Sequence, residues 1–134
     1  MSKNGNLSKE PIRRGDIYWV KFGKTVGTEI RDPHPAVIIS NNWQNEKGSR
    51  VVVLPMSSKI EKLYPFEIYV GKIIDNYKES KIMCEQVKSI SKKRLSENKV
   101  GELTPELLSK AETKLKKVLA FEDKIRYFLF WKNN

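Results

Sequence analysis

Five short apolar runs, recurring about every 12 to 16 residues and joined by polar loops, constrain this chain more than any other feature. They read as strands at Ile17–Phe22, Ala36–Ser40, Arg50–Met56, Pro65–Val70 and Lys81–Ile90, rich in β-branched and aromatic residues. Ala36–Ser40 is unbroken in its apolar character, the pattern of a strand buried on both faces, whereas Pro65–Val70 alternates, leaving one face wet. No long helical pattern intervenes before residue 104, so βαβ crossovers are excluded and a small antiparallel barrel is expected. Gly23–Asp32 is a long polar loop with two glycines, and Asn41–Ser49 is either one helical turn or a loop.

The chain ends differently. Thr104 suits an N-cap, Pro105 the first helical position, and Glu106 complements the helix dipole. Leu107, Leu108, Ala111, Leu115, Val118 and Leu119 then recur at helical spacing, giving a stripe to lay on the barrel. The expected organisation is a loose arm at 1–11, a barrel domain at 12–120 and an aromatic extension at 121–134 containing Tyr127-Phe128-Leu129-Phe130-Trp131. At 134 residues the chain is long enough to bury a core without covalent staples. A lone cysteine, Cys84, excludes an internal disulfide and is expected to pack as a small hydrophobe. One histidine and one cysteine do not make a zinc site, and no cofactor-binding glycine loop is present. No apolar run reaches membrane-spanning length, which makes a cytoplasmic protein the expectation. The formal charge of +10 instead points to an anionic partner such as nucleic acid, with a merely lysine-rich surface as the bland alternative.

The only histidine, His34, stands between Pro33 and Pro35 just before an apolar strand. Each proline fixes its own φ and biases the preceding residue toward extended backbone, so the imidazole sits on a stiff strand entrance. That placement suits a proton-transfer group, although a chance loop histidine fits equally well from this stretch alone.

Six blocks then follow one another in order: Gly15-Asp16-Ile17-Tyr18-Trp19-Val20, Gly27-Thr28-Glu29, His34-Pro35-Ala36-Val37-Ile38-Ile39-Ser40, Leu54-Pro55-Met56-Ser57-Ser58, Tyr64-Pro65-Phe66-Glu67-Ile68 and Cys84-Glu85-Gln86-Val87-Lys88-Ser89-Ile90. Together they resemble the MazF/PemK family of toxin endoribonucleases over roughly residues 13 to 119. The resemblance implies an SH3-like antiparallel barrel with a C-terminal helix, a homodimer, and metal-independent cleavage of single-stranded RNA at short sequences. It also implies neutralisation by an acidic antitoxin. The chemistry so implied is attack of the ribose 2′-oxygen on phosphorus, which needs a base, an acid and donors to the phosphoryl oxygens.

The candidate catalytic residues are His34, Ser57, Glu29, Arg31 and Glu85, of which Ser57, Glu29 and Glu85 stand where the resemblance implies them. The candidate RNA contacts are Arg14, Lys24, Thr28, Ser58, Gln86, Lys88 and Trp43, the last because it stands in a polar loop, whereas Trp19, Tyr18 and Phe22 on a β pattern are expected in the core. One position departs from the family pattern: an arginine ordinarily precedes the Pro-Ala strand, and here it is His34, with Arg31 three residues earlier. Either His34 transfers protons itself, with Arg31 or Arg14 donating to phosphate, or the change leaves an RNA-binding module that does not cut. Imidazole titrates near neutrality and guanidinium does not, which favours the first. A third reading, from another class, is a non-enzymatic gyrase poison like the related CcdB toxins, which share the barrel.

Overall fold

The computed structural model describes residues 10–23, 26–27 and 33–121. Seven strands appear: β1 (Asp16–Val20), β2 (His34–Ile38), β3 (Arg50–Ser57), β4 (Glu67–Gly71), β5 (Ser80–Met83), β6 (Lys88–Ser91) and β7 (Gly101–Glu102). Two helices, α1 (Asn42–Lys47) and α2 (Pro105–Val118), and two 3₁₀ turns, Cys84–Gln86 and Lys92–Arg94, complete the described elements. Every pairing is antiparallel, in the order β4-β5-β3-β2-β1-β7 with β6 also on β3. The expected mainly-β barrel with a C-terminal helix is therefore what the chain forms.

β3 is the spine. Its first half pairs with β6 (Val53↔Lys88) and its second half with β5 (Met56↔Ile82). These two registers differ by three residues, which are the three residues of the Cys84–Gln86 turn. The single strand expected over Lys81–Ile90 is thus interrupted by a bulge that lifts Glu85 and Gln86 out of the ladder. After β6 the chain returns to β1: Lys21 N–H donates to Arg94 O at 3.0 Å, Ser96 N–H to Trp19 O at 2.8 Å and Val100 N–H to Ile17 O at 2.8 Å. That return closes the barrel.

Strand alternation sends side chains to two cores. Inside the closed part lie Tyr18, Val20, Phe22, Ala36, Ile38, Val51, Val53 and Ile90. On the other face Ile17, Val37, Ile39, Leu54 and Met56 meet Ile68, Val70 and Ile82. Truncating a fully buried member such as Leu54 to alanine costs about 2–5 kcal/mol. Helix α2 covers this second core with Ala111, Leu107, Leu108, Leu115 and Val118, while Leu119, expected in the same stripe, is the exposed C-cap. Its start is as expected: Thr104 Oγ1 accepts from Leu107 N–H at 3.2 Å and Pro105 opens the helix. Asn41–Ser49 resolves as the helical alternative, α1, capped by Asn41 Oδ1 accepting from Gln44 N–H at 2.8 Å. Gly101 is required where β7 crosses Ile73, because a Cβ there would lie 2.5 Å from the Ile73 carbonyl oxygen. Residues 1–9 and the Tyr127–Trp131 stretch lie outside the described residues.

Candidate active site

The position of His34 follows from a missing hydrogen. Ile39 N–H donates to Val52 O at 2.9 Å, so the odd-numbered residues of β2 aim their N–H groups at β3. Continuing the β2–β3 register (Ala36↔Pro55) sets Pro35 opposite Met56, and proline has no N–H to give. His34 fills the gap: its Nδ1 lies 2.9 Å from Met56 O. A carbonyl only accepts, so Nδ1 must carry the hydrogen. The neutral ring then presents Nε2 as a bare acceptor, and among the described residues Nε2 has no hydrogen-bond partner. On its other side, Pro35 costs nothing. Its β1 partner Trp19 directs its N–H and carbonyl to Ser96 instead.

Ser57 is the next residue along. The same register places it opposite His34, and both share the alternation of Ala36, Val53 and the barrel interior. Ser57 is buried and its Oγ accepts from Lys59 N–H at 3.1 Å, which leaves the hydroxyl hydrogen to donate elsewhere. Ser58 is half-buried and takes a 3.4 Å contact from the Tyr77 hydroxyl, whose ring meets Trp19 edge-on. Trp19 thus lies partly in the core, and Tyr18 and Phe22 are buried.

Across β3 from His34, the register partner of Ser57 is Lys81 on β5. Sequence reasoning passed over this lysine as part of a strand. The available signal was a cation directly before an apolar run, Ile82-Met83-Cys84, with Glu67 two residues past a proline on the preceding strand. At the same end of the barrel, Lys88 Nζ sits 5.8 Å from the Phe22 ring, and Arg94 Nη1 donates to Lys21 O at 3.0 Å beside the β1 residue that pairs with His34. Positive charge therefore rims this end.

Glu85 is exposed on the bulged turn, with Gln86 Nε2 donating to its carboxylate at 3.3 Å. No hydrogen bond or ion pair joins Glu85 or Gln86 to His34 among the described residues. Cys84, which opens the turn, is buried as expected. Burial first, and the neighbouring Glu85 second, push its thiol up to about 12, so it stays protonated and inert.

Arg14 and Trp43 lie at the opposite end of β2, which the rise of that strand alone sets about 13 Å away. Arg14 is engaged there three times: Nη2 is 2.5 Å from Glu112, Nε donates to Ile39 O at 3.0 Å, and its N–H to Asn42 Oδ1 at 2.8 Å. Trp43 on α1 is 71% exposed, as its polar surroundings suggested, but it does not join the His34 group. An open groove of about 660 Å³ lies at this end, lined by Arg14, Ile39, Gln44, Leu115 and Phe121. Concavity and titratable chemistry are therefore separated in this molecule, and the chemistry identifies the better site. Lys24, Thr28, Glu29 and Arg31 lie outside the described residues. Among the described residues no group of three or more His, Cys, Asp or Glu could hold a metal ion, and no helix is long and apolar enough to cross a membrane.

The fold is thus a small antiparallel barrel with a capping C-terminal helix and a His–Ser pair at one rim. The comparisons with known proteins narrow it. The family model described as PemK-like, MazF-like toxin of type II toxin–antitoxin system matches residues 13–119, and the chain belongs to that family. It is 32% identical over 90 residues to the endoribonuclease MazF9 of Mycobacterium tuberculosis, covering 63% of this chain and 76% of that protein. It is 31% identical over 101 residues to the endoribonuclease toxin MazF of Escherichia coli K12, covering 75% and 87%. In fold it is similar to MazF from Deinococcus radiodurans, with TM-score 0.71 and 20% identity over 83% of this chain and 98% of that one. It is also similar to a mycobacterial endoribonuclease solved with its cognate antitoxin, with TM-score 0.61 and 23% identity over 81% and 92%.

Proposed function

We propose that this protein is an endoribonuclease toxin that cuts single-stranded RNA at short sequences without a metal ion. It acts in the cytoplasm as a homodimer and is held inactive by an acidic antitoxin. The observation that carries this reading is the anchored imidazole: Nδ1–H held by the Met56 carbonyl, Nε2 open, and Ser57 beside it. Family membership and relatives named as endoribonucleases support the reaction class.

In the reaction, His34 Nε2 takes the proton of a ribose 2′-hydroxyl, whose oxygen attacks the adjacent phosphorus. The bond from phosphorus to the 5′-oxygen breaks, leaving a 2′,3′-cyclic phosphate and, once that oxygen is protonated, a 5′-hydroxyl. Ser57 donates its hydroxyl hydrogen to a phosphoryl oxygen as charge develops, and Arg31 from the β1–β2 loop adds a second donor. Glu29 or Glu85, in its carboxylic acid form, supplies the remaining function and protonates the leaving 5′-oxygen. Lys24, Thr28, Ser58, Gln86 and Lys88 guide the strand, and the +10 charge supplies salt-sensitive phosphate affinity. Single-stranded RNA is the fitting substrate because its bases are open to side-chain contact.

The test is to incubate the full chain with a long single-stranded RNA in EDTA and map the new ends. Discrete cuts bearing 2′,3′-cyclic phosphate and 5′-hydroxyl ends are expected. Intact RNA, or cutting restored only by a divalent metal, overturns the reading.

A further inference from the structure

Lys81 is the only buried lysine among the described residues. Its Nζ lies 2.8 Å from Glu67 Oε1 and donates to the Lys62 carbonyl at 2.9 Å, and the two charged side chains keep only 7% and 4% exposure. A buried ion pair is weak evidence of a stabilising role. Removing two charges from water offsets most of their attraction, and apolar residues of similar volume often do as well or better. Ile82 and Met83, buried beside Lys81 on β5, show that this strand accepts apolar side chains readily.

What the pair fixes is the loop from 58 to 66, which leaves the site at Ser57 and returns on β4. Its near end is held by Lys59 N–H donating to Ser57 Oγ at 3.1 Å. Its far end is held by Lys81 on the Lys62 carbonyl and by Glu67 Oε1, which also accepts Tyr64 N–H at 3.0 Å. Between these ties the loop carries an ordered aromatic surface. Tyr64 stacks on Phe66 with ring centroids 5.5 Å apart and planes 2° from parallel, and the ammonium groups of Lys62 and Lys81 sit 5.2 and 5.8 Å from the Tyr64 ring. Tyr64 remains 43% exposed. A half-exposed ring on a loop tied to Ser57 can offer its exposed part to a nucleobase while the exposed Lys62 ammonium turns from the ring to a phosphate.

We propose that Lys81, through Glu67 and the Lys62 carbonyl, is a positioning residue that holds Tyr64 beside the His34–Ser57 site to stack one base of the bound strand. This rests on the endoribonuclease reading and adds a determinant of where the strand sits.

The test uses Lys81→Met and Tyr64→Ala in the full chain, singly and together, with RNA cleavage in EDTA read as KM, kcat and cut-site spectrum. Each single change is expected to raise KM about tenfold, the scale of losing one base–aromatic stack, and to broaden the cut sites, with kcat changed far less. The double variant should be no worse than Tyr64→Ala alone, because both act through one contact. Lys81→Met is also expected to speed native-state trypsin cleavage after Lys59 and Lys62 severalfold. Unchanged KM and cut sites in Lys81→Met, or additive effects in the double variant, overturn the proposal. Tyr64 is exposed, so its arm decides the matter even where Lys81→Met fails to fold. Wild-type protein that leaves RNA intact overturns the nuclease reading and the stacking role together. Trypsin sensitivity unchanged by Lys81→Met overturns the loop tie independently of any RNA.

Discussion

The two ends of β2 present similar groups in opposite states. At the Arg14 end, the guanidinium is bound to Glu112 and the Ile39 carbonyl, and the backbone N–H to Asn42. At the His34 end, one ring nitrogen is bound and the other is open, and Ser57 keeps a hydrogen to donate. The first arrangement uses its hydrogen-bonding capacity to hold the barrel to α2. The second holds its groups still while leaving capacity unspent, which is what a reacting ligand requires. The difference is that the charge of Arg14 is neutralised by Glu112, whereas Nε2 of His34 faces no partner among the described residues. A charged residue in a groove is weak evidence of a site when its charge is already paired, as that of Arg14 is with Glu112.

Substitutions at the two ends should separate along this line. Outside His34 itself the largest effect is expected at Ser57: Ser57→Ala should lower kcat for RNA cleavage by about 10²-fold, the scale of losing one donor to developing charge. Steady-state kinetics on a defined RNA would check it, with KM nearly constant. Pro35→Ala restores an N–H opposite Met56 and so competes with Nδ1 for that carbonyl. A fall of about tenfold in kcat is expected, with thermal stability preserved, because the imidazole loses its single anchor. An unchanged rate would remove the explanation given for the ring's orientation. At the other end, Arg14→Ala should act on stability, by about 1–3 kcal/mol, since it leaves the Ile39 carbonyl and Glu112 unpaired. Urea unfolding would measure this, and the rate per folded molecule should stay within about threefold.

The smallest effect expected is at Cys84. Its raised thiol favours the neutral form in the fold, so the unfolded chain releases that proton first as pH rises. The sign is therefore a loss of stability between the ordinary thiol range and about 12, and no loss below it. Alkylation of native protein at pH 8 should be slow, and comparing the pH-stability curve with that of Cys84→Ala above pH 9 would isolate the contribution.

Much of the fold was legible in the sequence because barrel strands carry their own signal. The runs at 17–22, 36–40, 50–56 and 65–70 each fell on a strand, with ends shifted by a few residues, and the Thr104-Pro105 signature opened α2. The break at Cys84–Gln86 was illegible, because a three-residue bulge arises from a register change along β3, which no local composition records. Leu119 misled for a related reason: helical spacing continues past the residue where the packing stops. Of the site, His34 and Ser57 were reached through the ordered blocks, but their adjacency depends on strand pairing. Arg14 and Trp43 have suitable chemistry but lie at the other end of the strand from His34, which sequence spacing does not reveal. Lys81 was hidden because a lysine in a strand ordinarily points to solvent, and only its pairing with Glu67 accounts for its burial.

Whether His34 transfers the proton is decided by comparing wild type with His34→Ala on one long single-stranded RNA in EDTA. Wild type should give 2′,3′-cyclic phosphate ends at discrete sites. His34→Ala, folded and melting within about 5 °C of wild type, should cut at least about 10²-fold more slowly at the same sites. A folded His34→Ala that cuts at the wild-type rate would remove His34 from the proton transfer.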